Sequence, residues 1–179
     1  MCYGDGVNDS IIIRQASVSD APALLAIYAP FVEHTAVSFE TAAPTVDEFA
    51  GRIAKCLNGW QYLIAERGGR AVGYAYGGVH RERAAYRFST EVSAYLDPAY
   101  HRQGIGRALY TRLFEDLAAK GYCTAFAGVT LPNDASVGMH TALGFEPIGV
   151  FRNIGWKYGK WHDVAWLQRT LRTQPPENA

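Results

Sequence analysis

The segment that most constrains this chain is Tyr100-His101-Arg102-Gln103-Gly104-Ile105-Gly106-Arg107. Before it runs a strand-like stretch from about Tyr86 to Leu96, stopped by Asp97-Pro98. After it comes an amphipathic helix, with Leu109, Leu113 and Leu117 at i, i+4 and i+8 and Gly121 at its end. The segment is therefore the turn of a strand–turn–helix unit, and its backbone N–H groups are the unsatisfied first turn of the helix. Such groups, with the positive end of the helix dipole, suit a phosphate anion. Gly104 and Gly106 allow close backbone approach, and Arg102 and Arg107 add charge. The plainer alternative is a tight turn that needs glycine for geometry alone. A Rossmann fingerprint is excluded because its third glycine position holds Leu109, and a Walker loop because no Gly-Lys-Ser/Thr follows.

The rest of the chain builds a domain around this unit. Ile11–Arg14 reads as a strand. Asp20 caps a helix that has Pro22 in its first turn and Leu24, Ile27, Tyr28 and Phe31 as its apolar stripe, and Pro30 should kink or end it. Thr45-Val46-Asp47-Glu48 is a capping box opening a second helix. Tyr62–Glu66, Gly68-Gly69 and Ala71–Val79 form a hairpin. Cys123–Leu131 is strand-like, Asp134–Leu143 a short helix, and Phe145–Trp156 and His162–Leu171 two final strands. The expected class is α+β, with about seven strands and four helices. A single domain is expected over 11–172, with loose termini at 1–10 and 173–179.

Composition narrows the partners. The 179 residues suit one domain, and 17 basic side chains balance 17 acidic ones, so net charge points to neither nucleic acid nor membrane. Three cysteines (Cys2, Cys56, Cys123), without Cys-x-x-Cys spacing, argue against a disulfide framework or zinc site; no metal is expected. The first ten residues have no basic n-region followed by an apolar run, so a soluble cytoplasmic protein is expected.

The strand, Asp-Pro and basic Gly-x-Gly turn resemble the pyrophosphate motif of the GNAT superfamily of N-acetyltransferases. Asn133, Ser136, His140, Gly144 and Phe145 match that superfamily's downstream helix in spacing. Leu131-Pro132-Asn133-Asp134-x-Ser136, Gly159-x-Trp161-His162-Asp163-Val164 and a glutamate eleven residues before Arg102 resemble the phosphinothricin acetyltransferase subfamily. The likeness runs from about Ile11 to Leu171. It departs at His101, where the motif has Arg or Gln, and at His140, where the superfamily keeps Tyr. The resemblance implies a mostly antiparallel central sheet flanked by helices, acetyl-CoA as co-substrate and a homodimer. It also implies that Ala94, Tyr95 and Leu96 hold the pantetheine arm in a splayed gap. Arg102, Gln103, Gly104, Ile105, Gly106 and Arg107 would hold the pyrophosphate, with Asn133 and Ser136 as further cofactor ligands. Capping the helix from Asp134 is the alternative role for Asn133.

Acetylating an amine requires a proton acceptor, because the amine arrives protonated, and a proton donor for the departing thiol. Glu91 is the expected general base: period two puts it with Ser89 and Ser93, and an interior strand would partly desolvate it. Its alternative is an edge-strand glutamate paired with Arg87 or Arg83. His140 falls where the superfamily's proton-donating tyrosine lies, the alternative being a packed histidine. Arg81 and Arg83 suit the α-carboxylate of an amino-acid acceptor, with a solvated loop as the alternative. Phe39 and Tyr86 are expected to line the acceptor pocket or simply to be core. An acceptor of the phosphinothricin or methionine sulfoximine type is implied. A peptide N-terminus, polyamine or aminoglycoside acceptor, a non-catalytic acyl-CoA sensor and a nucleotide-binding module are the rivals.

Overall fold

Neighbouring residues of the central strands bury apolar side chains alternately on opposite faces. Leu63, Ala65, Val72 and Ala75 belong to one cluster, and Tyr62, Ile64 and Tyr74 to the other. A sheet that is apolar on both faces has to be covered on both. The computed structural model, which describes residues 10–177, meets that demand with helices on either side. On one face lie α1 (Ala21–His34) and α2 (Val46–Leu57), through Leu24, Ile27, Phe49 and Ile53. On the other lies α3 (Ile105–Ala119), through Ile105, Leu109, Leu113 and Leu117, beside α4 (Asp134–Ala142).

The strands are β1 (Ile11–Gln15), β2 (Tyr62–Arg67), β3 (Arg70–Val79), β4 (Ser89–Leu96), β5 (Thr124–Thr130), β6 (Glu146–Lys157) and β7 (Lys160–Thr170). They form one seven-stranded sheet in the order β1-β2-β3-β4-β5-β7-β6. The β4–β5 pair is parallel and the others are antiparallel. The expected α+β class, with its mostly antiparallel sheet, is what the chain adopts.

Local capping follows the sequence at α2: Thr45 Oγ1 accepts from Glu48 N at 3.2 Å, and Glu48 Oε2 accepts from Thr45 N at 2.7 Å. Three expectations need correction. Asp20 precedes α1 but does not cap it with its side chain. Its carboxylate pairs with Arg14 at 2.7 Å and accepts from Ser17 N at 2.7 Å, which holds its pKa down at about 2. Pro30 does not end α1, which runs on to His34. A proline removes one N–H donor, and here the last turn is held by burial of Val32 and by Lys157 Nζ, which donates to Val32 O at 2.6 Å. The strand expected from Tyr86 begins at Ser89, because Ala84–Tyr86 is a short 3-10 turn.

Residues 1–9 and 178–179 of the expected loose termini lie outside the described residues, as does Cys2. Pro176, at the near end of the second terminus, packs against Gly121. Cys56 and Cys123 are free thiols, and burial pushes the Cys56 thiol up to about 12. No helix among the described residues is long and apolar enough to cross a membrane.

Candidate active site

The site originates in an unfinished strand pairing. β4 and β5 pair at Ser89–Thr124, Thr90–Ala125 and Glu91–Phe126, and there their ladder stops. Beyond that point β4 stays with β3 as far as the Leu96–Gly73 pair, while β5 stays with β7 as far as Thr130–Val164. The two strands therefore splay. Val92, Ser93, Ala94 and Tyr95 line one side of the gap and Ala127–Thr130 the other, with Tyr110, Asn133, Ser136 and His140 at its wall. The edge of β4 that faces the gap can hydrogen-bond an extended arm much as a strand would. Leu96 lies just beyond the gap, against Gly73 and Gly106.

The Gly-rich turn sits at the C-terminal end of β4. Arg102 and Gly104 take positive φ values of 61° and 79°, which turn the chain sharply into α3. Arg102, Gln103 and Arg107 are exposed, whereas Ile105 is buried and anchors the helix. Gln103 accepts a hydrogen bond from Arg67 and gives one to Ala99 O at 3.3 Å, bracing the turn. The two glycines serve different ends. A Cβ at Gly104 would meet nothing within 4 Å, so its requirement is the left-handed backbone. A Cβ at Gly106 would lie 3.1 Å from Met139 Sδ and 3.5 Å from Leu96, so that glycine serves the contact of α3 with α4 and β4. Asn133 caps α4 by accepting from Ser136 N at 3.1 Å, the alternative role that the sequence left open.

Glu91 lies at the fork itself. Its strand is flanked by β3 and β5, so it is not an edge residue, and the side chain it approaches is His80, with Nδ1 3.6 Å from Oε2, rather than Arg83 or Arg87. Burial pushes its pKa up, and the nearby Arg81 guanidinium opposes that rise. Glu91 faces a cavity of about 400 Å³, shared with Phe39, His80, Arg81, Phe151 and Trp166. That volume suits a small molecule. Arg81 therefore reaches the cavity. Arg83 does not line it and instead opens the 3-10 turn, and Tyr86 reaches the site only through an edge contact with the His80 ring at 6.4 Å. Phe39 is held over Gly155, where an added Cβ would lie 2.3 Å from its ring.

His140 is buried on the wall of the gap. Its Nδ1 lies 2.8 Å from Ser136 O, and since a carbonyl only accepts, Nδ1 donates. Nε2 then accepts from the Tyr110 hydroxyl at 3.1 Å. Burial lowers the pKa of His140 and raises that of Tyr110, so both are neutral at pH 7. Tyr110 was missed in the sequence, where it is one more apolar position beside Leu109. His80 carries no local signal in the sequence, where it only precedes Arg81. The β3–β4 register brings it to the site, Val79 pairing with Thr90, one residue before Glu91.

Residues 13–166 match the acetyltransferase (GNAT) domain family. The chain is 40% identical over 161 residues to phosphinothricin N-acetyltransferase of Alcaligenes faecalis, which covers 89% of this chain and 82% of that protein. It is 33% identical over 160 residues to L-methionine sulfoximine/L-methionine sulfone acetyltransferase of Salmonella typhimurium, covering 89% and 94% of the two. The crystal structure of a GNAT superfamily phosphinothricin acetyltransferase from Sinorhizobium meliloti, in complex with AcCoA, superposes with a TM-score of 0.89. It shares 34% identity over 94% of this chain and 95% of that one.

Proposed function

Because this chain belongs to the GNAT acetyltransferase family, we propose that it moves an acetyl group from acetyl-CoA to the amine of a small amino acid. It is an N-acetyltransferase; the acceptor class and the residue roles are the proposal. Phosphinothricin and methionine sulfoximine, the acceptors named for its relatives, are the first candidates. The observation that carries the reading is a half-buried carboxylate, Glu91, at the fork of β4 and β5, with the cavity in front of it and the gap beside it.

Acetyl-CoA, when bound, supplies the acetyl group as an activated thioester. Ala94, Tyr95 and Leu96 hold its extended arm through their backbone. The turn from Arg102 to Arg107 holds the pyrophosphate with helix N–H groups and exposed guanidinium groups. Asn133 and Ser136 close the gap from α4. Arg81 grips the carboxylate of the acceptor, and Phe39 shapes its side-chain pocket. Tyr86 supports that pocket from the 3-10 turn through its edge contact with the His80 ring. Glu91 removes the ammonium proton so that the amine lone pair can attack the acetyl carbon. The Tyr110 hydroxyl, held by His140 Nε2 at the wall of the gap, is the proposed hydrogen-bond donor to the departing thiolate, which takes up the proton that the attacking nitrogen loses as the amide forms.

An acceptor panel read by release of free thiol tests this reading. Amino acids with a free α-carboxylate should outperform their amides and spermidine. Arg81→Gln should lower kcat/KM for the acids by about 10–100-fold, the loss of a charge-assisted contact of about 1.5–3 kcal/mol. Spermidine as the best acceptor would remove the amino-acid assignment. Acetyl-CoA binding with no transfer to any amine would leave the sensor reading.

A homodimer belongs to the same proposal. β6 is an edge strand, and Ile148, Val150, Ile154, Trp156 and Trp161 on the β6–β7 hairpin are all exposed. An apolar edge of that kind calls for a cover, and a second copy is the proposed one. Light scattering should give twice the chain mass, and Ile154→Glu with Trp156→Glu should give the monomer. A monomeric wild-type protein at micromolar concentration would refute the dimer.

A further inference from the structure

Among the described residues, His80 Nδ1 is a buried side-chain nitrogen without a hydrogen-bond partner. It lies in the acceptor cavity beside Glu91. The imidazole stacks on Phe126, centroids 4.1 Å apart and planes at 10°, and meets Trp166 at 6.1 Å and Tyr86 at 6.4 Å with steep interplanar angles. These three rings fix the imidazole plane, and with it the direction of Nδ1. Glu91 Oε2 is 3.6 Å away. That is beyond a hydrogen bond, yet a small side-chain rotation closes it, and the Glu91 side chain, 39% exposed, has room to turn.

We propose that His80 is a positioning residue for the general base, donating from Nδ1–H to the Glu91 carboxylate and so aiming it at the acceptor amine and keeping it ionised. The proposal rests on Glu91 being the base. Electrostatics selects the tautomer: a lone pair on Nδ1 would repel the carboxylate, whereas an N–H attracts it. Glu91 on β4, Arg81 next in the chain and Tyr86 on the 3-10 turn are the charged or titratable groups around the ring. Phe126 of β5 and Trp166 of β7 present aromatic faces or edges. Burial and Arg81 both disfavour the imidazolium, so the donor is the neutral ring. A hydrogen bond to the ionised carboxylate favours that form and counters the burial that pushes Glu91 up.

The test compares His80→Phe, which keeps the stack but has no nitrogen, with His80→Gln, which keeps an N–H donor. The readout is kcat/KM against pH. With the donor gone the Glu91 pKa rises, so activity is lost earlier as pH falls. His80→Phe should move the acid limb up by about one pH unit, lowering activity on that limb about tenfold beyond the drop in plateau that the misaimed carboxylate brings. His80→Gln should return the limb close to its wild-type position, and acetyl-CoA affinity should be unchanged in both. A limb that does not move in His80→Phe, or moves equally in His80→Gln, overturns the proposal. Should His80→Phe fail to fold, His80→Leu is read by the same criteria. Glu91→Gln separates the two levels. If it is inactive while the His80→Phe limb is unmoved, only the positioning role fails. If it is fully active, the base assignment fails and this role with it.

Discussion

Glu91→Gln should lower kcat/KM by about 10²–10⁴, the range for loss of an acid–base group. The amide keeps the shape of the side chain but cannot accept a proton near neutral pH. Acetyl-CoA affinity should hardly change, because the β4 contacts proposed for the arm are backbone groups. The pH dependence carries the sharper signature. The wild-type base must be ionised, so kcat/KM falls as pH drops through the Glu91 pKa, which burial pushes up. In Glu91→Gln that limb disappears. The deficit should also shrink at high pH, where more of the acceptor amine is already deprotonated. Near-normal activity at neutral pH would end the base assignment.

Lys157→Met should be the most damaging substitution for stability. Lys157 is buried at the end of β6, and its Nζ donates to Val32 O at 2.6 Å and Ser38 O at 2.7 Å. One ammonium thereby ties the last turn of α1 to the segment carrying Phe39. Methionine keeps the length and the apolar stem but takes a charge-assisted donor away from both carbonyls. The expected loss is about 2–4 kcal/mol, a fall in Tm of roughly 5–15 °C for a chain of this size. Because Phe39 follows Ser38 directly, the acceptor KM should rise as well, while acetyl-CoA affinity, set at β4 and α3, should not. A Tm within 2 °C of wild type, roughly the shift of one weak contact, would show that this anchor is dispensable.

The α2 capping box and the turn into α3 were legible because each depends on residues within four or five positions. Period two likewise put Glu91 and Ser93 on one face of β4, since alternation is a property of a single strand. Pro30 does not end α1 for the opposite reason: the turn that outlasts it is held by Lys157, 125 residues on from Val32. Asp20 was assigned to the nearest helix, but its carboxylate is drawn to Arg14 of β1. Of the two arginines chosen for the acceptor, only Arg81 lines the cavity, because the 3-10 turn after it carries Arg83 away.

The sequence alone determined the element order, the Gly104 turn, the family motifs and the face of β4 that carries Glu91, all of which are local patterns or spacings. Tertiary structure decided which groups surround that carboxylate. β4 and β5 part after Glu91, β4 staying with β3 and β5 with β7, and that parting opens the gap. His80 and Tyr110 come to Glu91 and His140 respectively only across strands and helices. Side-chain neighbours at that range depend on sheet register and helix packing, which no short window of sequence contains.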